Sequence, residues 1–276
     1  MLKRRKSQPD SRVRAHPCVI KTKPALILID LGEKQSNSPR MKFVKIAFKR
    51  QTAMPMFALT LASGVSVALV IARIIRTHNI SYGFLLWNLL LAWLPLIFAF
   101  LAAEKYETSA SGKNWGFLGL AGAWLLFFPN APYIFTDLIH LKTHFAYHFW
   151  VDLVLILLCA LTGLVIGFVS LYLMQSVVTR MLGRAASWLF ILGVTGLSGF
   201  GIYLGRFLRF NSWDILFKPV DLYHGIGRWA ADPMANPTSF VFPMLFGTFL
   251  FIAYVMLYGL THLQPAVASA PMPQRS

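Results

Sequence analysis

Acidic residues are scarce in this chain: 10 Asp and Glu stand against 26 Lys and Arg in 276 residues. Charge of either sign is thin, at 13% of residues, where a soluble globular domain carries about 25%. That deficit excludes an ordinary water-soluble fold. Cysteine is nearly absent as well. Cys18 lies in a polar N-terminal stretch and Cys159 inside an apolar run, so no disulfide framework is implied. No P-loop and no dinucleotide fingerprint occurs in a credible setting, which removes soluble nucleotide chemistry. The middles of the apolar runs hold almost no ionisable side chain, and repeat halves are not recognisable. Coupled transporters usually place an ionisable group near the midplane and are commonly built from repeat halves.

What the chain does have is apolar length. Hydrophobic residues make up 57%, and six runs are long enough to cross a ~30 Å hydrocarbon layer. They are Met54–Ile75, Tyr82–Ala103, Trp115–Phe135, Trp150–Val177, Ser187–Phe207 and Phe240–Leu260. The fold class expected is all-α: a polytopic membrane helix bundle with its third helix broken by prolines near one end. Pro95 is expected to kink the second helix, since it lacks the i to i−4 donor. Gly163 with Gly167, and Gly201 with Gly205, are small-residue pairs at the spacing that lets helix backbones approach. The expected organisation is a basic, disordered cytoplasmic tail over 1–50, a transmembrane domain over 51–263 and a short disordered tail over 264–276. An alternative start at Met41 would place a normal "MKFVKIAFKR" before the first helix.

The formal net charge of +16 invites a nucleic-acid reading, but its distribution argues against one. Much of it lies in the first fifty residues, from Lys3, Arg4, Arg5 and Lys6 to Lys49 and Arg50. A basic segment beside a first membrane helix is a topology signal and a contact for anionic lipids. No nucleic-acid partner is expected; membrane lipids are. The tail sets both termini in the cytoplasm, with Lys105, Lys113, Arg180 and Arg184 on the same side. Arg73 and Arg76 then fall outside and count against that orientation.

With this topology the polar residues of the spans share the outer side. Asn88 sits in the outer third of the second span. The stretch "FFPNAPYIFTDLIHL" closes the third with Pro129, Asn130, Pro132, Asp137 and His140. Two missing backbone donors imply either a broken helix lining an outward pocket or a helix that ends at Phe128 in an interfacial turn. Asn130 is a candidate cap for the segment that follows. Asp137, His140, His144, His148 and Asp152 recur at metal-ligand spacing, yet the chain must turn back among them. A hydrogen-bonded Asp–His pair is therefore preferred to a metal, and no metal ligand is assigned. In "GIYLGRFLRFNSWDIL", Arg206 and Arg209 are three apart and would share a helix face. Each guanidinium can hold a carboxylate or phosphate. Asn211 or Ser212 is a candidate helix cap, with Asp214 in the first turn. Trp213, Leu216, Phe217, Val220 and Tyr223 suggest an amphipathic surface helix over the pocket.

Three segments together, "WNLLLAWLP", "FFPNAPYIFTDLIHL" and "GIYLGRFLRFNSWDIL", resemble the bacterial family called domain of unknown function 1361, over about Tyr82 to Tyr258. The resemblance implies a multi-pass protein of the bacterial inner membrane and carries no established activity or cofactor. The chain departs from the pattern at Phe210, where tryptophan is expected, and His144 and His148 are outside it. That leaves Asp137, His140 and Asp152 as candidate acid–base residues. Asn130, Tyr133, Arg206, Arg209, Asn211 and Asp214 are candidates for binding an anionic or lipid-linked substrate. A structural or accessory subunit without catalysis remains open beside this enzyme or binding-site reading, as does a small-solute transporter. So do a homo-oligomer and a membrane partner packed on the glycine-rich fifth span.

Overall fold

A computed structural model describes residues 50–108, 115–143, 149–231 and 237–261. The basic tail, the C-terminal tail, Lys113, His144 and His148 lie outside the described residues. Within them every element is helical. The order is α1 (Arg50–Thr77), a 3-10 turn (Ile80–Tyr82), α2 (Gly83–Thr108), α3 (Trp115–Phe127), α4 (Asn130–Tyr133), a 3-10 segment (Ile134–Thr143), α5 (Phe149–Leu182), α6 (Arg184–Phe207), α7 (Asp214–Phe217), α8 (Pro219–Ala231) and α9 (Pro237–Thr261). Six helical stretches are long and apolar enough to cross a membrane: Met54–Thr77, Ile80–Thr108, Trp115–Leu141, Phe149–Leu182, Arg184–Phe207 and Ser239–Thr261. This is the make-up of a multi-pass membrane protein, and each stretch overlaps one of the six apolar runs. α2 continues through Pro95.

α5 is the central helix, packing against α1, α2, α4, the long 3-10 segment and α6, while α9 lies along α6 and α3 along α2. The largest buried cluster joins Trp124 and Phe128 to Phe168, Leu171, Ile202, Leu250 and Tyr254. A second joins Val70, Leu85 and Leu89 to Ala131, Ile134, Ile156 and Cys159. Lipid tails are as apolar as leucine, so close packing and interhelical hydrogen bonds must hold such a bundle together. Several bonds do this: Trp93 Nε1 donates to Ser63 Oγ at 3.2 Å, Trp124 Nε1 to Ser170 Oγ at 3.2 Å, and Tyr254 OH to Gln175 Oε1 at 2.5 Å.

The break in the third span is a buried wedge. α3 stops at Phe127, and Ala131, Pro132 and Ile134 beyond it are buried. The broken-helix alternative is therefore the one found, and the interfacial turn is not. Both glycine pairs exist to hold this wedge. A Cβ on Gly163 would stand 2.7 Å from the Ala131 carbonyl oxygen and 2.8 Å from Ile134 Cδ1; on Gly167 it would meet the Ala131 Cβ at 3.0 Å. From the other side, a Cβ on Gly201 would meet Pro129 Cγ at 2.9 Å, and one on Gly205 the Tyr133 ring at 3.2 Å. α5 and α6 thus grip the segment between two hydrogen-for-methyl gaps. Gly199 makes a separate close approach to Pro243 and Gly247 on α9. Gly163→Val is expected to shift the wedge and lower stability by about 1–3 kcal/mol, the usual cost of overpacking. Thermal unfolding in detergent measures it; an unchanged midpoint would mean that the wedge yields freely.

Candidate functional site

Phe128 ends the helical ladder, and a helix end leaves carbonyls without intrahelical partners. One of them is taken from across the bundle: Ser212 Oγ donates to the Leu126 carbonyl at 3.0 Å. Ser212 also receives a hydrogen bond from Asn130 Nδ2 at 3.1 Å. Asn130 is therefore not the cap expected of it. Pro129 occupies the N-cap of α4 with no side-chain bond, and the Asn130 amide ties the wedge to the loop after α6 instead.

Asp137 lies one turn further, on the 3-10 segment, and is 1% exposed. Both its oxygens are engaged. Arg206 NH1 donates to Oδ1 at 3.2 Å and Asn88 Nδ2 donates to Oδ2 at 2.8 Å. The other arm of the fork, Arg206 NH2, stands 3.5 Å from His140 Nε2. A guanidinium only donates, so as a hydrogen bond this contact has Nε2 accepting. The imidazole lies against the Phe84 ring, with centroids 4.9 Å apart. Arg206 thus sits between the carboxylate and the imidazole expected to pair with each other.

These groups close one end of a cavity of about 640 Å³, within the range typical of small-molecule sites. The polar end carries Asn88, Asn130, Tyr133, Asp137, His140, Arg206, Asn211 and Ser212. The remainder is apolar, with Trp87 and Leu91 from α2, Gly122 and Leu125 from α3, and Leu197, Phe200 and Leu204 from α6. Leu222 and Ile226 of α8 cover it, together with Phe210, whose ring packs against Gly225.

The covering helix differs from the stripe expected. Pro219 starts a new helix after the short α7, as a proline at a first helical position does. This rotates the faces, so Phe217, Val220 and Tyr223 are exposed while Leu222 and Ile226 turn to the cavity. Neither Asn211 nor Ser212 caps α7, whose N-cap is Trp213 with no side-chain bond. Asp214 closes the turn instead. Its Oδ2 accepts from the Asn211 N–H at 2.6 Å, and it is absent from the cavity wall. Arg209 lies beyond the end of α6, with φ of 57°, is exposed and does not line the cavity. The face it was expected to share with Arg206 does not form.

Asp152 also parts from the set. It begins α5, is fully buried, and is held by Arg73 and Tyr82. Arg73 Nε donates to Oδ1 at 2.6 Å and NH2 to Oδ2 at 3.1 Å; Tyr82 OH donates to Oδ2 at 2.9 Å. The guanidinium also lies 5.6 Å from the Tyr82 ring centre. Arg73, which counted against the expected topology as a stray outer charge, is neutralised inside the bundle. Its signal was available: a cation at the end of one span and an acid at the start of another, on the same side. Among the described residues no group of three or more His, Cys, Asp or Glu side chains comes together to hold a metal ion.

A sequence model of the family described as "Protein of unknown function (DUF1361)" matches residues 87–253. The chain belongs to this family. The family match takes in the wedge, both glycine pairs and every cavity-lining residue except Phe84. Arg73 and Tyr82 precede it. No curated protein and no solved structure matches the chain.

Proposed function

We propose that this is a multi-pass protein of the bacterial inner membrane, with both termini cytoplasmic, that binds an anionic or lipid-linked envelope molecule from the outer side. The observation that carries this reading is the cavity that ends in Arg206, His140 and Asn130. Convergent polar groups at one end of an apolar pocket are the usual form of a ligand site. Within it the roles divide by geometry. Asp137, with both oxygens engaged, positions Arg206 rather than acting as a base. His140 lines the cavity and is the group assigned to proton transfer. Arg206 and the amide of Asn130 meet the polar part of the ligand.

One observation favours the second reading, a structural or accessory subunit. Both carboxylates with assigned site roles in α5 and the 3-10 segment are tied to arginines of this same chain, as they would be if they only pinned helices. Native mass spectrometry separates the two. The wild type, purified from its membrane, is expected to carry one tightly held molecule that His140→Ala releases while the variant stays folded and monodisperse. Equal occupancy in both would leave the accessory-subunit reading standing.

A further inference from the structure

We infer that the ligand is an acyl-chain lipid which enters sideways from one leaflet, its chain lying in the groove between α3 and α6. This deepens the ligand-site reading above and rests on it. From Leu197 to Arg206 the wall climbs about 13 Å along α6, at ~1.5 Å per helical residue. One leaflet of a ~30 Å hydrocarbon core is of similar depth. Over that length the lining includes Leu197, Phe200, Leu204, Leu125 and Gly122, and the charged pair Arg206–Asp137, with His140 beside it, stands at the Arg206 end. A water-soluble anion would use the polar end and leave the shaft empty.

The groove also opens to the side. Trp87, Gly122 and Leu197 line the cavity and are exposed at once, on three helices of membrane-spanning length and composition. Their exposed faces meet hydrocarbon, so the opening between them faces lipid tails, while Leu222 and Ile226 of α8 cover the cavity beside its polar end. The charge at that end suits a lipid head as well. Asp137 balances Arg206, and Asn130, Asn211 and Ser212 add neutral hydrogen-bonding groups. Such a set can hold a phosphodiester or a hydroxyl without leaving a buried unpaired guanidinium when the site is empty.

The glycines provide the test. A Cβ on Gly122 would meet nothing within 4 Å, and neither would one on Gly119, which lies outside the cavity wall. The first atom of a side chain at either position therefore meets no neighbour, and of the two only Gly122→Trp places an indole at the shaft. Detergent-purified wild type, Gly122→Trp, Gly119→Trp and His140→Ala are titrated with dioleoyl phosphatidylglycerol and, separately, with glycerol 3-phosphate, and read by native mass spectrometry. The expected result is one phosphatidylglycerol per chain on wild type and Gly119→Trp, about tenfold weaker on Gly122→Trp (~1.4 kcal/mol), and no retained glycerol 3-phosphate. Glycerol 3-phosphate held equally by wild type and Gly122→Trp, and lost in His140→Ala, would overturn the lipid inference and keep the ligand site. Phosphatidylglycerol unaffected by Gly122→Trp but lost in His140→Ala would likewise refute the tail groove alone. Lipid binding that ignores both substitutions, or no binding of either probe, would sink both.

Discussion

Arg73→Ala is expected to cost the bundle about 3–5 kcal/mol, because it strips the guanidinium from a carboxylate already out of solvent. Asp152 is fully buried and the Arg73 side chain is only 10% exposed, so water cannot replace what is lost. Tyr82 would remain with its hydroxyl on Oδ2, which a neutral phenol cannot turn into charge compensation. The distinctive expectation concerns the double variant. Arg73→Met with Asp152→Leu removes both charges together, and apolar replacement of a buried pair is often neutral or stabilising. Thermal unfolding in detergent should therefore find the single variant far below wild type and the double variant close to it. A double variant as damaged as the single one would mean that the pair does more than join α1 to α5.

Arg206→Ala comes second. It leaves Asp137, 2% exposed in its side chain, with the Asn88 amide, and a loss of about 3–5 kcal/mol is again expected. It should also abolish the one-to-one ligand. Arg206→Lys separates the two consequences. Lysine keeps the charge but not the planar fork that reaches Asp137 with one nitrogen and His140 with the other. Most of the stability should survive while ligand retention falls by about tenfold. Full retention of the ligand in the lysine variant would show that charge alone suffices and that the fork has no role in recognition.

The six spans were legible because uninterrupted apolar length is a local property, readable without knowing any contact. The break at Phe128 was legible for the same reason: two prolines delete donors whatever surrounds them. What the prolines do not reveal is where the freed carbonyl turns, and Ser212 lies far along the chain from Leu126. The candidate residues were read as a single set, and the structure divides them. Spacing along the chain placed Asp152 with Asp137, but each carboxylate found its own arginine, from α1 and α6 respectively. Those pairings depend on which helices are neighbours. The covering helix was misread through one residue: Pro219 restarts the helix, so a periodicity carried across it points the wrong face inward. Asn88 was visible only as a polar residue in an apolar run. Its bond to Asp137 makes it part of the site's support.

The Arg73–Asp152 contact also bears on where the working unit begins. The family match starts at Trp87, yet Asp152, inside it, is held by Arg73 and Tyr82, which precede it. A fragment trimmed to the matched residues would insert the buried Asp152 carboxylate without Arg73 and Tyr82. A separate peptide covering α1 and the 3-10 turn would carry both donors back, so the first span serves the rest of the bundle as a counter-ion.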